Sequence, residues 1–247
     1  MQEKFHVPRY FCEYYKKDKV ISSDGMIYIS EKDAFLSDGD TFTWPHFWDY
    51  YSKYKSIVLL GPPRQGKTSE FKYQCGQVKN GFFLPLRNVT DPRNIEEVFG
   101  DIGTEECWFN WLDSNETGEL FIDSLDEGNL EITKLSLQIT RWLKNKLGKN
   151  VLNRLRIHLS CREADWHQLD KEKWTNLFST NYITLSLLNL DRESIYTYCE
   201  HLEVDGNTFL EDIPPSAKSF IQRPQTLKML LDNYKNDKQI QSRTFCR

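Results

Sequence analysis

Two stretches of the chain carry residue types and spacings suited to chemistry on a phosphate ester. Gly61-Pro62-Pro63-Arg64-Gln65-Gly66-Lys67-Thr68 matches GxxxxGK[ST] in full. Glycines at its fixed positions let a loop curl so that successive backbone N–H groups point inward at an anion, against the positive end of the helix that follows. In that arrangement Lys67 bridges the β- and γ-phosphates and the Thr68 hydroxyl binds Mg²⁺, with Ser69 as the last residue expected to line the nucleotide. Four fixed positions recur by chance in roughly one chain in a hundred of this size. The context is more selective, because the apolar run Ile57–Leu60 precedes the loop and a helical segment follows it. The second stretch, Leu120-Phe121-Ile122-Asp123-Ser124-Leu125-Asp126-Glu127, is an apolar strand running into carboxylates about sixty residues later. Asp123, at the strand end, is the residue expected to hold the Mg²⁺ shell. Asp126 or Glu127 then orients or deprotonates an attacking water.

The elements that must position these residues alternate. The pattern predicts a strand over 57–60, a helix over 67–79, a strand over 81–86, short helices over 94–99 and 105–113, and the strand at 120–122. A helix over 131–147 places Ile132, Leu135, Ile139, Trp142 and Leu143 on one face. Strands over 156–161 and 182–187 flank a helical insert at 166–178. Such alternation implies an α/β fold with a mainly parallel five-stranded sheet covered by helices on both faces. Beyond Asp191 only helices are expected, at 194–202, 214–221 and 224–234, forming a small C-terminal helical lid. Residues 1–54 read as an N-terminal lead-in, 55–190 as the core and 191–247 as the lid. Within the lead-in, Trp44, Phe47, Trp48, Tyr51 and Tyr54 recur at spacings of three or four, as in an amphipathic helix packed into a core.

The run of apolar residues, Asp123, a small residue, an apolar residue and Asp126-Glu127 resembles the extended Walker B segment of NACHT-type STAND NTPases, a branch of the AAA+-like P-loop proteins. The ordinary AAA+ form has Glu directly after the metal-binding Asp, where this chain has Ser124. Arg156-Ile157-His158-Leu159-Ser160-Cys161-Arg162-Glu163 is similar to the sensor 1 strand of that family, and the resemblance places Ser160 and Arg162 near the γ-phosphate. An Arg at the carboxyl end of a central strand also faces the ligand edge of an open parallel sheet. Its alternative is a surface ion pair with Glu163 or Asp165. Phe220-Ile221-Gln222-Arg223-Pro224-Gln225-Thr226-Leu227 resembles the lid segment whose proline packs near the nucleotide base, although Pro224 also suits the first turn of a helix. The resemblance spans about residues 55–235. It implies ATP or ADP with Mg²⁺ as cofactors and an ATPase acting as a switch in signalling or anti-phage defence, coupled to self-association or to a separate sensor or effector protein. Family members normally continue into a winged-helix segment and a sensor region, so a chain ending at Arg247 reads as a fragment or as a pared-down NTPase.

Composition narrows the alternatives. The chain has 247 residues, 39% hydrophobic and 28% charged, which is globular rather than disordered. Its 32 Lys and Arg against 36 Asp and Glu give a net charge of -4, so no basic field indicates nucleic acid, and an AAA+-type motor on DNA is the weaker alternative. A non-hydrolysing nucleotide-binding scaffold stays open, as does a small-molecule kinase, for which no acceptor site is evident. The six cysteines are scattered, with no metal-ligand spacing, and read as reduced thiols. No apolar stretch suits a signal peptide or a membrane span, so a cytoplasmic protein is expected. His158, in a buried strand, reads as a core histidine and Cys161 as packing.

Overall fold

The computed structural model describes residues 5–14, 46–89, 95, 99, 102–125, 132–168, 171–178 and 181–237. In chain order the elements are β1 (Phe11–Glu13), β2 (Ser56–Leu60), α1 (Lys67–Gln77), β3 (Gly81–Pro85), α2 (Glu105–Leu112), β4 (Gly118–Asp123), α3 (Ile132–Lys146), α4 (Lys149–Arg154), β5 (Leu155–Cys161), α5 (Glu163–Gln168), α6 (Lys171–Phe178), β6 (Tyr182–Leu187), α7 (Arg192–His201), α8 (Gly206–Asp212), α9 (Lys218–Ile221) and α10 (Pro224–Asp237). The described residues fall into two compact units, one of Tyr50–Pro63 with Lys67–Ser186 and one drawn from Met1–Asp49, Arg64–Gly66 and Leu187–Arg247.

The α/β class and the mostly parallel sheet follow the sequence pattern. The sheet has six strands rather than five, in the order β1-β6-β2-β5-β4-β3. The pairs β2–β5, β2–β6, β3–β4 and β4–β5 are all parallel. The added strand, β1, is three residues long, too short for an alternation to register in the sequence. Strands β2 and β3 are buried at every position, as expected where helices cover both faces of a parallel sheet. Successive residues show the two faces directly. The Phe82 ring meets Trp108 of α2 edge-on at 5.0 Å, whereas Phe83 points the other way, beneath Lys72 of α1. Phe121 of β4 shares that second face and meets Phe71 of α1 at 5.4 Å.

The other unit has its own core. Leu190, Ile195, Cys199, Phe209, Ile213, Ile221, Leu227 and Leu231 form one buried cluster within the C-terminal helices. Helix α8 lies between two of the expected helices, started by Asp205, whose side chain accepts from the Asn207 N–H. The aromatic run after Pro45 forms a six-residue 3-10 helix, Trp48–Lys53, instead of an α-helix. Its buried aromatics Trp48 and Tyr51 are three residues apart, and the Tyr54 N–H donates to the Tyr51 carbonyl, the i→i+3 bond of that geometry. Of the helix expected at 94–99, only Ile95 and Phe99 are described.

One close approach ties α2 to β4. A Cβ on Gly118 would stand 2.7 Å from Trp111 Cε2. The indole cannot retreat, since its Nε1 donates to the Glu116 carbonyl at 3.0 Å and the Arg154 guanidinium lies 4.1 Å over its ring. Gly118→Ala is expected to cost about 1–3 kcal/mol, the usual range for forced overpacking. An unchanged urea unfolding midpoint would show that the contact yields.

Candidate functional site

Parallel sheets bind ligands outside the carboxyl ends of their strands, where the chain's order reverses. Here that point is β2. The chain leaves it for the far edge strand β3, works back through β4 to β5, and then crosses to its other side as β6. The GxxxxGKT loop leaves β2 at this position and opens α1 at Lys67. Register levels the neighbouring strand ends: Leu60 pairs with both Cys161 and Ser186, and Pro85 pairs with Asp123. Loop, Asp123 and Arg162 therefore emerge along one edge.

Gly61 is buried, Lys67 and Thr68 are half-buried, and Pro62, Pro63 and Ser69 are exposed. Lys67 folds back over the start of the loop, its Nζ donating to the Gly61 carbonyl at 2.7 Å and the Pro62 carbonyl at 3.1 Å. This holds a cationic group at the amino end of an 11-residue helix whose first N–H groups have no intrahelical acceptor.

Asp123 is completely buried at the end of β4. Its Oδ1 accepts from the Ser160 hydroxyl at 2.6 Å and its Oδ2 from the Ser124 hydroxyl at 3.0 Å. Ser160 in turn accepts from the Ser124 N–H at 3.0 Å, and its carbonyl accepts from the Leu125 N–H. Register explains the meeting, because Ile122 pairs with Leu159 and so sets Asp123 level with Ser160. Ser124 adopts φ +60°, a left-handed conformation that costs a non-glycine residue about 1–3 kcal/mol. The Ser124 hydroxyl thus orients the carboxylate. Arg162 follows β5 directly, half-buried, and its carbonyl accepts from the Trp166 N–H at the start of α5. Asp126 and Glu127 lie outside the described residues.

The other unit gathers the middle of the loop. Arg64 and Gly66 have φ of +65° and +97°, flanking a buried Gln65. Gln65 Nε2 donates to Asn189 Oδ1 at 3.3 Å, and Asn189 Nδ2 donates to Gln222 Oε1 at 3.3 Å. Pro224 opens α10 and stands against the loop, its Cγ 3.6 Å from where a Gly66 Cβ would lie. The sequence motif missed Asn189, Gln222 and Arg9, whose side chain also reaches this corner.

A second polar cluster occupies the amino ends of β4 and β5. Glu119 accepts from Arg156 at 3.3 Å and is bonded to His158 Nε2 at 2.9 Å. Burial alone would raise the Glu119 pKa, but the hydrogen bond and charge of His158, with Arg156, outweigh it and hold the carboxyl below its usual range. His158 is a buried histidine packed on Phe121, as the strand pattern suggested. Burial, with Glu119 nearby, pushes the Cys75 thiol up to about 12, which leaves it inert. Five cysteines, Cys12, Cys75, Cys107, Cys161 and Cys199, are free thiols. No described helix is long and apolar enough to cross a membrane.

Ser160→Ala would strip a donor from Asp123 and an acceptor from the Ser124 N–H, both buried, at an expected cost of about 1–3 kcal/mol in urea unfolding. The Glu119 cluster predicts an acid limb. A carboxyl depressed by folding contributes stability that is complete above its unfolded pKa, near 4.5, and is lost as pH falls through the lower folded value. The stability gap between wild type and Glu119→Gln should therefore shrink on acidification below about pH 4.5, and a constant gap would contradict the assignment. Comparison with known proteins adds no identity to this geometry: no family model matches the chain, and no curated protein matches it.

Proposed function

We propose that the chain is an ATP-binding, Mg²⁺-dependent ATPase that works as a switch, of the kind found in NACHT-type STAND NTPases. The observation that carries this reading is the coincidence, on one sheet edge, of the GxxxxGKT loop at the reversal strand β2 with the buried carboxylate of Asp123. In this reading β2 to β6 form the five-stranded nucleotide-binding sheet and the helices from α7 to α10 form the lid.

Asp123 and Thr68 offer oxygen donors, which suit a hard cation. Mg²⁺ is commonly held by one carboxylate, a hydroxyl, waters and the substrate's own phosphate oxygens. Asp123 and Thr68 would supply the first two, and the ion would neutralise charge on the phosphates. Lys67, already positioned by two loop carbonyls, exchanges those acceptors for β- and γ-phosphate oxygens. Loop N–H groups and the α1 terminus bind the remaining charge. Asp126 with Glu127 orients the attacking water, and Arg162 stabilises charge at the γ-phosphate. Pro224, beside Gly66, lets a lid that moves with nucleotide state couple hydrolysis to self-association or to a sensor or effector partner.

Lys67→Ala removes two charged hydrogen bonds worth about 1.5–3 kcal/mol each and is expected to weaken Mg-ATP binding by about a hundredfold or more. Titration calorimetry on wild type and variant checks this, with phosphate release from ATP followed in the presence and absence of Mg²⁺. A folded variant that binds ATP like wild type would reject the reading.

A further inference from the structure

We propose that Arg9, outside the motif, is a positioning residue for the phosphate loop; the inference rests on the nucleotide-binding reading and deepens it. Arg9 is 6% exposed. Its Nη1 donates to the Gln65 carbonyl at 3.0 Å, across 56 residues of sequence, and its Nη2 donates to the Leu188 carbonyl at 2.5 Å. One guanidinium therefore fastens the loop to the chain segment that follows β6.

The bond matters because of what a peptide plane does. The Gln65 carbonyl and the Gly66 N–H belong to one rigid unit, and the described peptide bonds are trans, so the two groups point in opposite directions. Drawing the carbonyl towards Arg9 aims the Gly66 N–H the other way, as a loop that cradles an anion requires. The residues that flank Gln65, Arg64 and Gly66, both sit at positive φ, a strained conformation for Arg64. The charge-assisted hydrogen bond from Arg9 to the Gln65 carbonyl helps to hold the loop in that conformation.

Gly66 is constrained by the same side chain. A Cβ there would come 3.0 Å from Arg9 Nη1, so the glycine serves the guanidinium as well as the backbone angle. The Gln65 side chain is held separately, through Asn189 to Gln222, whose own carbonyl accepts from the Leu190 N–H at 2.8 Å. Gln65 Oε1 is buried with no hydrogen-bond partner among the described residues. Arg9 thus contacts the loop backbone at Gln65, while the amide chain holds the Gln65 side chain. Arginine suits the task because its fork reaches two carbonyls at once, whereas a lysine reaches one at a time.

The test compares wild type, Arg9→Gln, Arg9→Lys and Lys67→Ala for Mg-ATP affinity, with melting temperature and the glycine-labelled ¹⁵N spectrum recorded for each. Arg9→Gln is expected to weaken ATP at least about tenfold, and Arg9→Lys less, because it keeps the charge and one carbonyl bond. On saturation with ATP, the Gly66 amide signal should shift in wild type and shift less in Arg9→Gln. Wild-type affinity in both Arg9 variants, or a full-sized Gly66 shift in a saturated Arg9 variant, would overturn the proposal and leave the site intact if Lys67→Ala has lost binding. Should Arg9→Gln not fold, the Arg9→Lys affinity and spectrum decide by the same criteria. A wild type that does not bind ATP rejects the underlying reading and this inference with it.

Discussion

The hydrogen-bond register between β4 and β5 is the constraint on which the site depends. Parallel pairing sets Glu119 beside Arg156, Phe121 beside His158 and, one step past the paired Ile122 and Leu159, Asp123 beside Ser160. Because side chains alternate along a strand, these six residues form a single ladder on the face covered by α1. Its ends are polar and its middle rung is aromatic, with the His158 ring 4.7 Å from Phe121. A slip of one residue would turn one strand's half of the ladder to the opposite face. Asp123 would then lose the serine that orients it, and Glu119 would lose its cationic neighbours.

Backbone strain concentrates where this register meets the chain's reversals. The described non-glycine residues at positive φ are Arg64, Ser124 and Glu203. Glu203 closes α7 just past its end, a place where left-handed residues commonly finish helices. The other two stand in the GxxxxGKT loop and directly after Asp123. Each is held by specific hydrogen bonds nearby: Arg9 draws in the carbonyl after Arg64, and Ser160 accepts from the N–H of Ser124. Such conformations persist only where surrounding contacts over-determine them. Here the contacts come from distant parts of the sequence, Arg9 for Gln65 and Ser160 for Ser124, so each strained turn depends on long-range pairing.

That dependence explains how much could be read in advance. Strands β2 to β6 were legible because strands covered on both faces are short, mostly apolar runs, and the reversal loop was legible because its residue types are local and consecutive. Asp123 was legible as a carboxylate closing an apolar run. What stayed hidden depends on long-range pairing. Nothing in Val7-Pro8-Arg9 announces a contact with Gln65, and three-residue β1 is too short to show a period. Glu119 and His158 each interrupt an apolar strand, but only the register shows that they interrupt it together. Ser124 read as a departure from a family pattern, and its role on Asp123 needed the left-handed turn that no periodicity predicts.

The two polar ends of the β4–β5 ladder do different work. Removing charges from water is costly, and a buried ion pair is a weak source of net stability compared with apolar packing. Its better use is selection, since a misregistered sheet would leave the charges without partners. Glu119 is 17% exposed, so it bears much of that cost, yet it lies at the edge opposite the loop. Asp123 is wholly buried and its two oxygens are met by neutral hydroxyls. Hydroxyls orient a carboxylate without pairing it with a charged group, which suits the cation-holding role proposed for it. A basic partner at Asp123 would secure the same register but cancel its charge. The cationic groups stand instead at the amino end, where fixing the register costs the site nothing.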